Sequence, residues 1–148
     1  RSRELSRPDL YGGLSVAFGV DQSLIVNEYG MTELLSQFYE SHLAEAWRVG
    51  ETVPKEVPPV EGRFHRGPPW VRTQILDSMT LEPKGAGEVG VLAHMDLANL
   101  GSVAPVLTED LGCLVPEGFQ LVGRSPGSEP RGCSLAMEDF LASHGGRP

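Results

Sequence analysis

Thr32 and Glu33 close the string Asn27-Glu28-Tyr29-Gly30-Met31-Thr32-Glu33, which follows the short apolar run Leu24-Ile25-Val26. These residue types suit the handling of a nucleotide. Tyr29 offers a flat face for an adenine ring, and Gly30 lets the backbone turn tightly and approach a ligand. The Thr32 hydroxyl can hydrogen-bond a phosphate oxygen, and Glu33 is a hard oxygen donor of the kind that holds Mg²⁺ together with substrate phosphates. A buried strand ending in such a turn would place them at a sheet's carboxyl edge, where open α/β sheets bind ligands. The same residues also suit a plain helix start, with Thr32 and Glu33 as first-turn polar groups favoured by the helix dipole.

Cys133 is a second reactive candidate. It stands immediately before Ser134, an N-capping residue type, and close to Arg131. The positive end of a helix and a nearby guanidinium both favour thiolate over thiol, and a thiolate can attack an activated acyl group. As a small apolar residue it could equally anchor a loop. Cys113 reads as structural. His94, Asp96 and Asn99 form a polar cluster after an expected strand; they fall short of a metal-ligand set, so hydrogen bonding within a loop is the expectation. His42 reads as a core or boundary histidine and Trp70 as a core anchor. Gly85-Ala86-Gly87 has no helix after it and so predicts a tight turn between strands rather than a phosphate cradle. On residue type alone, Asp110 is a turn carboxylate and Arg124 a member of a surface ion pair.

The elements that must position these groups divide the chain. Residues 8 to 19 predict a helix weakened by Gly12 and Gly13, followed by a strand at 23 to 27. Apolar residues at Leu34, Leu35, Phe38, Tyr39, Leu43, Ala46 and Trp47 predict a helix from about 31 to 48. The prolines among residues 49 to 69 predict a long connection. Strands are expected at 70 to 76, 90 to 94, 102 to 107 and 119 to 122, with a loop over 123 to 131 and a short helix over 135 to 143. The fold class is α+β, helices followed by a small antiparallel sheet or distorted barrel. The expected organisation is one partial domain: an α/β part at 1 to 48, the proline-rich connection at 49 to 69, a β-rich part at 70 to 126, and a hinge with a terminal helix at 127 to 148.

A chain of 148 residues is long enough for a real core. Its net charge of −8, with dispersed Lys and Arg, argues against a nucleic-acid partner. No apolar stretch approaches a membrane span, and two cysteines make no disulfide framework, so a reducing cytoplasm is expected.

Four motifs in order resemble the adenylate-forming superfamily of acyl-CoA synthetases and adenylation domains. They are Tyr29-Gly30-Met31-Thr32-Glu33, Gly85 to Leu92, Thr108-Glu109-Asp110-Leu111-Gly112 (Glu109 standing where glycine is usual), and Gly118 to Arg124. More narrowly, Asn27 to Tyr39, Pro68-Pro69-Trp70, Asp96-Leu97-Ala98-Asn99, Thr108 to Gly112 and Arg131 to Leu135 are similar to the acyl-protein synthetases, the LuxE-like fatty-acid:protein ligases. The resemblance implies the large domain of an adenylate-forming enzyme, with ATP and Mg²⁺ as cofactors. Asp110 would bind the ribose hydroxyls and Arg124 the ribose and phosphates. Glu33 and Thr32 would serve activation of a fatty acid or other small carboxylic acid, and Cys133 would carry the acyl group towards an acyl reductase. Neither a phosphate loop ending in Lys nor a small domain with a late catalytic lysine is found, so the chain is expected to be the carboxy-terminal portion of a longer protein or one subunit of a split one. Coenzyme A as acceptor and a non-catalytic module derived from an adenylation domain are the alternatives. The superfamily more often has irregular chain at 31 to 48, where the periodicity predicts a helix.

Overall fold

The computed structural model describes residues 5–54 and 57–126. Helix α1 (Arg7–Phe18) starts where the sequence predicts it: Ser6 caps it by accepting from the Asp9 amide, Pro8 occupies its first turn, and Gly19 ends it in the left-handed region at φ 63°. Seven strands follow: β1 (Glu28–Tyr29), β2 (Phe38–Glu40), β3 (His65–Arg66), β4 (Val71–Leu76), β5 (Gly90–Asp96), β6 (Pro105–Val115) and β7 (Gly118–Arg124). A short helix α2 (His42–Arg48) lies between β2 and β3, and single 3₁₀ turns occupy Gln22–Leu24 and Val60–Gly62.

All seven strands form one antiparallel sheet in the order β1-β2-β3-β7-β6-β5-β4. β4 to β7 make successive hairpins, the last closed by Pro116-Glu117 between the paired Val115 and Gly118. The short strands β3, β2 and β1 then add to the β7 edge, which carries the Tyr29 motif towards the β6–β7 hairpin. The core holds Tyr29, Leu34, Phe38, Ile75, Leu92 and Phe119, with Met31, Val71, Val106, Leu114 and Leu121 packed against it. At Gly112 a Cβ would fall 2.6 Å from the Gln120 carbonyl oxygen, so β6 and β7 pack this closely only over a glycine.

The α+β class and the antiparallel sheet hold, while several element boundaries differ. Only residues 42 to 48 of the predicted 31-to-48 helix are helical; 30 to 37 are irregular and 38 to 40 are β2. From Leu34 to Glu40 burial alternates residue by residue, the period of extended chain. Ser36 and Glu40 take buried places because they have polar partners, so the apolar residues alone mimicked a helical stripe. The predicted strand at 23 to 27 is replaced by a 3₁₀ turn capped by Asp21, whose carboxylate accepts from the Ser23 amide at 2.8 Å. The proline-rich connection contributes β3. Thr108 to Gly112 lie inside β6 rather than in a turn beyond it, and Arg124 ends β7 rather than sitting in a loop. Trp70 is 50% exposed, an edge residue and not a core anchor. Cys113 is buried and free, as expected of a structural cysteine.

Candidate functional site

The Tyr29, Asp110 and Arg124 side chains meet. Asp110 and Arg124 are directly opposite on β6 and β7, and Arg124 Nε lies 3.2 Å from Asp110 Oδ1. The other carboxylate oxygen, Oδ2, accepts from the Tyr29 hydroxyl at 2.8 Å. Burial first, and then the Asp110 charge, push the Tyr29 hydroxyl well above its ordinary range, so it remains a proton donor. Glu109, where the superfamily motif has glycine, contributes a second arm: its Oε2 lies 3.1 Å from Arg124 Nη2. The guanidinium is thus held by two acidic neighbours on β6. Thr108 fixes the local backbone by donating to the Leu92 carbonyl at 2.9 Å and accepting from the Asp110 amide at 3.1 Å.

The Tyr29 ring itself faces the core. It is 8% exposed, and it packs against Phe38, His65, His94 and Phe119 with ring centroids 5.6 to 6.2 Å away. The flat face expected to receive an adenine is therefore turned inward, and Tyr29 delivers its hydroxyl to the site. Gly30 does not have positive φ, and a Cβ there would make only ordinary contacts of 3.5 Å or more with Glu28 and Gln37. Its backbone conformation makes no demand for glycine.

Thr32 and Glu33 sit on the surface of the 30–37 loop, the Thr32 hydroxyl donating to Glu33 Oε2 at 3.1 Å. Among the described residues no hydrogen bond joins either side chain to Tyr29 or Asp110. No three or more His, Cys, Asp or Glu side chains converge as a metal cage among the described residues. An exposed single carboxylate nonetheless fits Mg²⁺, which keeps several waters and takes one or two carboxylates beside substrate phosphates. Asp110 fits ribose hydroxyls in the same sense: its two present bonds leave further lone pairs, and its side chain is 20% exposed. Cys133, Ser134, Arg131 and the predicted 135-to-143 helix lie outside the described residues.

Two buried carboxylates organise the surroundings. Asp96, at the end of β5, accepts from the Leu35 amide (3.1 Å), the Ser36 amide (2.9 Å), the Ser36 hydroxyl (3.0 Å) and the Ala98 amide (3.0 Å). Burial disfavours its charge, but the Ala98 amide, the Ser36 hydroxyl and amide and the Leu35 amide outweigh that and hold the carboxyl below its ordinary range. Asn99 Nδ2 donates to the Glu33 carbonyl at 3.0 Å and to the Val103 carbonyl at 3.3 Å. The sequence pointed to Asp96 and Asn99 as loop-bonding residues, and it offered no sign that the loop they bond is the one carrying Glu33.

Glu40 is the other hub, and sequence reasoning missed it. It accepts from Arg7 at 2.5 Å, the Tyr11 hydroxyl at 3.0 Å, the Asn27 amide at 3.2 Å and Arg63 at 3.3 Å, joining α1 to the sheet. No local spacing links partners so far apart in the chain.

The fold is similar to that of a solved structure, the luciferase-like enzyme from the nonluminescent Zophobas morio mealworm. The TM-score is 0.51 at 18% identity, covering 86% of this chain and 31% of that one. In sequence the chain is 32% identical over 92 residues to the long-chain-fatty-acid–luciferin-component ligase of Aliivibrio fischeri, covering 55% of this chain and 24% of that protein. Its counterpart from Vibrio harveyi is 30% identical over 87 residues, covering 53% and 23% respectively. The chain thus spans about a quarter of the length of these curated relatives. The family model for the acyl-protein synthetase, LuxE, matches residues 17–142, which takes in the Tyr29, Asp110 and Arg124 constellation and the loop of Glu33; the chain belongs to that family.

Proposed function

We propose that this chain carries part of a site where a long-chain fatty acid is activated with Mg·ATP as an acyl-adenylate and then transferred to a protein cysteine. The observation that carries the reading is the meeting of Tyr29, Asp110 and Arg124, which come from three separate motifs and lie within hydrogen-bonding distance through Asp110. Each has a chemical part. Asp110 accepts the ribose hydroxyls on its remaining lone pairs, Tyr29 fixes the carboxylate from the core side, and Arg124 neutralises phosphate charge at the end of β7. Glu33 would hold Mg²⁺ beside the substrate phosphates, with Thr32 next to it. When bound, Mg·ATP supplies the leaving group, pyrophosphate. The protein's contribution to that step is positioning and charge neutralisation. The Cys133 thiolate then displaces AMP to give a thioester. That both relatives are long-chain-fatty-acid ligases by name supports a long-chain fatty acid as the acyl substrate.

Fatty-acid-dependent exchange of labelled pyrophosphate into ATP tests the first half-reaction in the full-length protein. Asp110→Ala is expected to lower exchange about a hundredfold. Asp110→Asn, which keeps the shape and one acceptor oxygen, should fall in between. Exchange at the wild-type rate in a folded Asp110→Ala protein contradicts the reading.

A further inference from the structure

We propose that Asp96 and Asn99 form a brace whose task is to hold the Thr32–Glu33 turn in the conformation from which Glu33 acts, making Asn99 a positioning residue for adenylate formation. This rests on the role given to Glu33 above.

The loop from Gly30 to Gln37 has little backbone order of its own; the Leu34 amide bonds the Met31 carbonyl at 3.1 Å, and the loop has no ladder partner. Its conformation comes from side chains sixty residues or more away in sequence. Asp96 Oδ2 takes the two successive amides of Leu35 and Ser36, and Oδ1 takes the Ser36 hydroxyl, which in turn accepts from Trp70 Nε1 at 3.0 Å. From the same turn, Asn99 reaches the carbonyl of Glu33 itself. Leu34 is buried in the core between these attachments. The bonds therefore clamp the peptide groups on the carboxyl side of Glu33 while its carboxylate stays in solvent, bonded only by its neighbour Thr32 among the described residues. Fixing the peptide of Glu33 restricts where its carboxylate can go, and a group held in its working position acts without first being ordered.

Asn99→Asp preserves shape but replaces the donor to the Glu33 and Val103 carbonyls with an oxygen that cannot donate. Asn99→Ala is the second variant, removing the bond without adding charge. Both are made in full-length wild type and in Glu33→Gln, and fatty-acid-dependent pyrophosphate exchange is measured over ranges of fatty-acid and Mg·ATP concentration, with hydrogen exchange at the Leu35 and Ser36 amides as a readout independent of activity. The expected result is a drop in kcat of about tenfold or more in each variant with the fatty-acid KM little changed, faster amide exchange in the loop, and less than about a twofold effect in the Glu33→Gln background. Equal losses in both backgrounds, or full activity in the Asn99 variants beside a slow Glu33→Gln protein, overturn the brace alone. Full activity of Glu33→Gln removes the role of Glu33 and the brace with it, as does a wild type that exchanges no pyrophosphate.

Discussion

His65 and His94 sit in the aromatic core beside Tyr29, Phe38 and Phe119, and burial lowers each imidazole to about 4. Both rings are neutral in the folded protein at neutral pH. His94 Nδ1 pairs with the Thr73 hydroxyl at 3.0 Å, while His94 Nε2 and His65 Nδ1 have no hydrogen-bond partner among the described residues. Because an unfolded imidazole takes up its proton near pH 6.5, the unfolded chain binds more protons than the folded one between about pH 6.5 and 4. The stability these rings confer is complete above that window and declines as pH falls through it, by on the order of 3 kcal/mol per ring. Urea midpoints at pH 7 and pH 4.5 should therefore fall more steeply for the wild type than for His94→Gln; equal pH slopes would show that His94 is not kept neutral by the fold. These residues belong to the same cluster that presents the Tyr29 hydroxyl to Asp110, so acid that disturbs the core disturbs the site as well.

Among the elements, the segment from Gly30 to Arg48 is where sequence pattern and structure part. The spacing of its apolar residues matched a helix, yet the chain there is loop, strand and one short helix, because Ser36 and Glu40 are buried on long-range hydrogen bonds. Apolar periodicity was informative where packing sets burial, as in β4 and β7. It failed where a buried carboxylate was matched by arginines from elsewhere. Glu40→Gln is expected to destabilise the protein by about 3–5 kcal/mol, since it leaves the buried Arg63 guanidinium without its counter-charge. Calorimetry would register this, and an unchanged melting temperature would mean that the Arg7 and Arg63 pairs contribute little. Gly67 is another position where elements meet closely: a Cβ there would fall 2.5 Å from Phe38 Cε1 in the core. Gly67→Ala should cost about 1–3 kcal/mol through displacement of the Phe38 ring, visible as a lowered denaturation midpoint. A midpoint equal to wild type would show that the ring moves freely. For the candidate site, motif order singled out Asp110, Arg124 and Tyr29, whose side chains the fold brings together. The bonds joining them came into view only with the β6–β7 register and with β1 laid across three other strands from it.

For the whole molecule, one antiparallel sheet carries the nucleotide-site candidates at one hairpin and the Glu33 loop on the brace from β5. No helix among the described residues is long and apolar enough to cross a membrane. The chain spans about a quarter of the length of the curated relatives it matches, so the activity proposed above is to be tested in the full-length protein. The most direct measurement incubates that protein with Mg·ATP and radiolabelled myristate and looks for hydroxylamine-sensitive label on the protein, comparing wild type with Cys133→Ser. Wild type is expected to be labelled, and a Cys133→Ser protein to be unlabelled while still releasing pyrophosphate. Label retained in full by Cys133→Ser, pyrophosphate release that labels coenzyme A but never the protein, or neither signal from the wild type would contradict that expectation.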